Sequence, residues 1–174
     1  MKLIQTTLAA LTLSAPAALA HVTLEEQQAP QGATYKAVLR VGHGCLGEAT
    51  LKLRVQIPEG VIAVKPMPKP GWTLETVTGA YAASYDYYGT PMAEGVKEIV
   101  WTGELPDAWY DEFTFRAKLT DALPAGSTIY FPVVQDCATG ANQWTQIPAA
   151  GQNAHDLEHP AAGLAITEPG HDHH

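Results

Sequence analysis

Basic residues are scarce in this chain. Its 174 residues hold ten Lys and Arg against eighteen Asp and Glu, a formal net charge of −8. Such a surface repels phosphate backbones and anionic lipid heads, so nucleic-acid and membrane-surface partners are not expected, whereas cations are favoured. Methionine is equally sparse: beyond the initiator only Met67 and Met92 occur, too few for the sulfur-rich cluster that Cu(I) prefers. No apolar run after residue 20 approaches the roughly 20 residues needed to cross a bilayer, so the exported form is expected to be soluble and without a membrane span. The chain also lacks a G-x-S-x-G elbow, a phosphate-cradling glycine loop and an H-E-x-x-H pair, which removes the commonest signatures of hydrolases, nucleotide enzymes and metalloproteases. Acid neighbours such as Glu25-Glu26 or Asp111-Glu112 do not replace them, because adjacent strand residues point to opposite faces. No enzyme is expected on these grounds.

Only two cysteines are present, Cys45 and Cys137. Residues 1–20 read as a secretory signal peptide: Lys2, a Leu- and Ala-rich run, then small residues at Ala18 and Ala20. In an exported, oxidising compartment the default for two cysteines is one disulfide, which would stabilise the fold by about 4–5 kcal/mol on the chain-entropy model. A Cys/His metal site using His43 and Cys45 is the rival, though the cysteines lack the tight paired spacing of a zinc site.

Alternating apolar and polar residues dominate what remains. Residues 34–41 place Tyr35, Ala37, Leu39 and Val41 on one face. Residues 50–57 place Leu51, Leu53, Val55 and Ile57 inward, with Thr50, Lys52, Arg54 and Gln56 outward. Residues 112–119 set Phe113, Phe115, Ala117 and Leu119 against Glu112, Thr114, Arg116 and Lys118. Period two over eight residues predicts half-buried antiparallel strands. Further strands are predicted at 61–65, 72–78, 81–88, 96–102, 127–134 and 143–147, with Gly- and Pro-rich turns between them, and Pro132 is expected at an edge or bulge. No window has helical spacing over three turns. The expected fold is all-β, a single immunoglobulin-like antiparallel β-sandwich with one disulfide. Its expected limits are residues 21–148, and 149–174, rich in Ala, Gly, Pro, His and acids, read as a flexible His-rich tail.

Cutting after Ala20 makes His21 the first residue of the exported protein. Its α-amine and ring Nδ1 can then close a chelate ring on one metal ion. The segments that accompany it form an ordered set: His21-Val22-Thr23-Leu24, Arg40-Val41-Gly42-His43-Gly44-Cys45, Ile57-Pro58-Glu59-Gly60-Val61 and Pro68-Lys69-Pro70-Gly71-Trp72. Leu105-Pro106-Asp107, Tyr110-Asp111-Glu112-Phe113-Thr114-Phe115, Tyr130-Phe131-Pro132-Val133-Val134-Gln135-Asp136-Cys137 and Trp144 follow. Together they resemble the YcnI-like family over nearly all of His21 to Pro148.

That family includes periplasmic or cell-surface copper-binding β-sandwich proteins whose genes often lie beside copper-homeostasis genes. The resemblance implies one Cu(II) held by His21 through amine and ring nitrogen, with Glu112 as a carboxylate ligand and Trp144 close by. It implies a periplasmic copper chaperone or buffer. The expected partners are the copper ion itself and another periplasmic copper-handling protein or a copper transporter. Members often carry a C-terminal membrane-spanning segment, which this chain lacks. Amine, imidazole and carboxylate donors independently suit tetragonal Cu(II). Two other readings remain open. One is a copper-dependent oxidase or oxygenase, for which a second imidazole must come from His43 or the tail. The other is a metal-free sandwich that binds sugars or peptides through Tyr81, Tyr85, Tyr87, Tyr88 and Trp72.

Overall fold

A computed structural model describes residues 21–170. The predicted signal peptide and the last residues, His171 to His174, lie outside the described residues. Twelve strands and one short 3-10 turn make up the described chain: β1 (Thr23–Leu24), β2 (Gln28–Pro30), β3 (Thr34–Val41), β4 (Thr50–Gln56), β5 (Val61–Pro66), β6 (Thr73–Tyr87), β7 (Thr90–Leu105), β8 (Asp111–Leu119), β9 (Thr128–Phe131), β10 (Val133–Asp136), β11 (Ala141–Trp144), the turn Ala154–Asp156, and β12 (Ala162–Thr167). One sheet has the order β1-β3-β8-β5, the facing one β11-β10-β4-β7-β6, and a third, β2-β12-β9, closes an end.

The two faces meet through aromatic side chains that period-two alternation points inward. Phe113 on β8 packs against Trp101 on β7 at 5.5 Å between ring centroids and against Trp72 at 4.9 Å, while Phe115 meets Phe131 at 5.7 Å. All but Trp72 are almost fully buried. Burial of this apolar area is the main favourable term of the fold. The predicted disulfide joins Cys45 to Cys137, with Cα atoms 6.1 Å apart across 92 residues. Its formation withdraws Cys45 from the rival metal site.

The eight-residue alternations at 34–41 and 112–119 pair with each other in unbroken antiparallel register, from Thr34↔Lys118 to Val41↔Asp111. The alternation at 50–57 holds only from Leu53 onward. At a register shift where Thr50 to Lys52 opposes the one-residue-longer span Thr102 to Leu105 of β7, Thr50 turns into the interior, at 0% exposure, and Leu51 out to solvent, at 37%, so the facing set by regular pleating is lost at this irregularity. The predicted strand 127–134 splits at Pro132, which has no N–H for a ladder; β9 before it lies in the third sheet and β10 after it in the second. The two strands predicted at 72–78 and 81–88 are one long β6. It joins β7 by a two-residue turn at Tyr88 and Gly89, both with positive φ, the geometry that favours tight hairpins.

The largest correction concerns the C-terminal segment. Residues 162–167, expected in a flexible tail, form β12, which pairs antiparallel with β9 and parallel with β2. Leu164 and Ile166 are fully buried in the common core. Ala162, Leu164 and Ile166 alternate with Gly163, Ala165 and Thr167, so the segment has an apolar face to bury and does not remain in solvent. The domain therefore runs past Pro148 to about residue 167. Leu164→Ala should destabilise the protein by about 2–5 kcal/mol in urea denaturation; a strand dispensable to the fold would leave the midpoint unchanged.

Candidate metal centre

β1 and β11 are each the outermost strand of their sheet, and the candidate site lies where these two edges meet. Val22, just before β1, and Leu24 within it are buried at 2% and 1% exposure, which by alternation turns His21 and Thr23 the other way. The His21 ring lies 5.4 Å from the Trp144 indole, centroid to centroid, tilted by 57°.

Trp144 is a fixed wall. It is buried, and its indole N–H donates to Gln135 Oε1 at 3.0 Å. The other end of that amide donates from Nε2 to Thr50 Oγ1 at 2.7 Å and to the His43 carbonyl at 2.6 Å. Gln135 is 1% exposed, so each bond is made without competing water. The inverted residue Thr50 thus has a purpose: it supplies the acceptor that satisfies the buried amide.

Across the indole comes the segment after Pro148. Gln146 clamps it: its backbone N–H donates to the His159 carbonyl, its carbonyl accepts from Ala161 N–H, and its Oε1 accepts from His159 N–H at 2.7 Å. The His159 ring therefore stands edge-on to Trp144 at 5.2 Å. Upstream, Asn153 Oδ1 caps the 3-10 turn by accepting the His155 N–H. A cleft of about 350 Å³ opens beside it, with His21, Thr23, Thr128, Tyr130, His155 and Ala161 among its walls. Burial pushes the His21 ring below the ordinary histidine value of 6.5, and repulsion from His155 and His159 pushes it further. A neutral imidazole is the form that binds a metal.

The structure unites His21 with Trp144 but sets Glu112 apart. Thr23, Arg40 and Glu112 form one cross-strand row, so Glu112 stands two strand spacings, roughly 10 Å, from Thr23. Its Oε1 accepts from the Tyr110 hydroxyl, and burial together with that bond and the carboxylate charge pushes the Tyr110 phenol up to about 12. His43 sits in the disulfide loop, its Nδ1 2.5 Å from the Gly44 carbonyl. That loop is tight: a Cβ on Gly44 would meet the Glu48 carbonyl oxygen at 1.7 Å. Among the described residues, no three His, Cys, Asp or Glu side chains form a ready metal cage. The side chains with donor atoms that the structure brings nearest His21 include the imidazoles of His155 and His159. His155 and His159 belong to the segment expected to be a flexible tail and a candidate source of a second imidazole; the alternation in 162–167 is the signal that ties that segment to the fold beside His21.

The family model for a domain of unknown function, DUF1775, matches residues 21–166. The chain belongs to that family. DUF1775 is the YcnI-like domain, and its match begins at His21 and ends inside β12, in agreement with the extended boundary. This DUF1775 chain is similar to an uncharacterized protein from Nocardia farcinica, whose crystal structure has an immunoglobulin-like fold. The two are 25% identical with a TM-score of 0.61, over 86% of this chain and 99% of that one. No curated protein matches the chain. No helix among the described residues is long and apolar enough to cross a membrane.

Gln135→Ala should cost about 1–3 kcal/mol for each buried partner left unsatisfied, read as a lower denaturation midpoint; an unchanged midpoint would rule out the network as a support. In the metal-free protein, NMR titration of the His21 ring should give a midpoint below 6.5. The unfolded chain then takes up that proton more readily than the folded one, so this group lowers stability as pH falls through the ordinary histidine range.

Proposed function

We propose that this DUF1775 protein is an exported, non-enzymatic Cu(II) binder that buffers copper in the periplasm or passes it to another copper-handling protein or transporter. The single observation that carries the reading is the position of His21: at the edge between two sheets, beside a buried, hydrogen-bonded Trp144, with its ring held below the ordinary histidine range. When signal-peptide removal frees the α-amine, amine and Nδ1 grip one cupric ion from two sides. Such nitrogen donors suit Cu(II), and no thiolate or methionine cluster competes for Cu(I). Trp144 screens one face of the ion and limits open coordination positions, which favours storage and transfer over oxygen chemistry. Glu112 is the carboxylate of the family pattern; in this chain its bond to Tyr110 must open before it can reach the ion.

Protein that begins at His21 should bind one Cu(II) tightly by calorimetry and intact mass, with affinity falling as pH drops through roughly 8, where the amine protonates, and falling further below the ordinary histidine range, where the His21 ring does. His21→Ala, or a single extra residue ahead of His21, should abolish the tight site. Undiminished 1:1 affinity in a chain with its leader uncut would overturn the proposal.

A further inference from the structure

The segment that β12 ties down brings two more imidazoles to the His21 edge, and they are differently placed. The His159 ring is wedged against Trp144, with its Nδ1 buried and without a hydrogen-bond partner among the described residues, and its backbone is clamped by Gln146 on both sides. Its other ring nitrogen, Nε2, stands 3.8 Å from a Glu158 carboxylate oxygen. His155 is exposed on the 3-10 turn, between half-buried Ala154 and exposed Asp156. Its ring makes no hydrogen bond among the described residues, and it shares the walls of the cleft with His21. The Asn153 cap fixes the turn but leaves the ring unrestrained.

We infer that His155 supplies a second imidazole to the metal ion held at His21, so that the fold-over segment closes the site. The inference rests on the Cu(II) reading of His21 and extends it to a donor outside the N-terminal residue. The His21 amine, the His21 ring and the His155 ring provide three nitrogen corners of the tetragonal plane that Cu(II) prefers, leaving one position for water or a carboxylate. His159 acts as a positioning residue: its packing on Trp144 and the Gln146 clamp hold the segment at the right height. The arrangement gives a copper-dependent closure, because the unrestrained His155 ring turns to the ion at His21 while the capped turn stays in place.

The test uses the full chain beginning at His21, loaded with one equivalent of Cu(II). Pulsed electron paramagnetic resonance should count two imidazoles in the native protein and one in His155→Ala. Affinity for Cu(II) should drop in that variant by about ten- to hundredfold, at least the loss seen when a supporting group of a metal site is removed. Because His155 is exposed, the variant should keep the native denaturation midpoint of the metal-free protein. One imidazole in the native protein, with tight 1:1 binding intact, overturns the role of His155 and leaves His21 standing. Two imidazoles that persist in His155→Ala also overturn it and assign the second donor to another histidine. Absence of a tight Cu(II) site in the native protein overturns the His21 reading, and this inference with it.

Discussion

The buried amide of Gln135 connects features that lie far apart in the sequence. Its oxygen accepts from the Trp144 indole, and its nitrogen reaches Thr50 and the main chain of His43, so one side chain ties β10 to β11, to the bulged start of β4 and to the disulfide loop. In a dry interior an unmatched donor or acceptor costs more than a matched one contributes. The three partners therefore hold each other in place, and the indole cannot rotate without orphaning its own N–H and the Gln135 Oε1. A rigid wall at the sandwich edge follows, and His21 on one side and His159 on the other are arranged by contact with it.

Much of the sandwich could be read from alternation alone. Residues 34–41 and 112–119 form long central strands whose inward faces bury aromatic and aliphatic side chains, and nothing local competes with that pattern. It misled at Thr50 and Leu51, where the alternation is apolar-correct but the register is not. A buried hydrogen-bond acceptor for Gln135 outweighs the burial of one leucine there, and pattern reading has no knowledge of a partner 85 residues away. Pro132 was legible as a break, because the missing N–H is a local fact. The merging of two expected strands into the long β6 was not, since the glycine at 79 and the irregularity after Ala80 weaken the period without ending the pairing.

At the candidate site, His21 and Trp144 were legible through the family pattern, and the structure seats them together. Glu112 was drawn from the same pattern and stands two strands across, engaged with Tyr110. His155 and His159 were read as belonging to a solvated tail, because Ala, Gly, Pro and His around them carry no period. Their placement depends on Gln146 and on β12, both long-range features. The weak sequence signal is the short apolar alternation after Pro160, which composition obscured.

The parallel pairing of β2 with β12 has a temporal consequence. Gln28 to Pro30 lies beside Ala165 to Thr167, so the opening and closing stretches of the domain share one ladder. A polypeptide that emerges amino end first, from a ribosome or through a membrane pore, must wait with its early strand unpartnered until nearly the whole chain has appeared. Loop closure over such a span is slow, and the exposed edge is open to wrong pairings in the meantime. Completion of the cleft beside His21, whose walls include Ala162 and Gly163, is thereby timed by the arrival of the last strand.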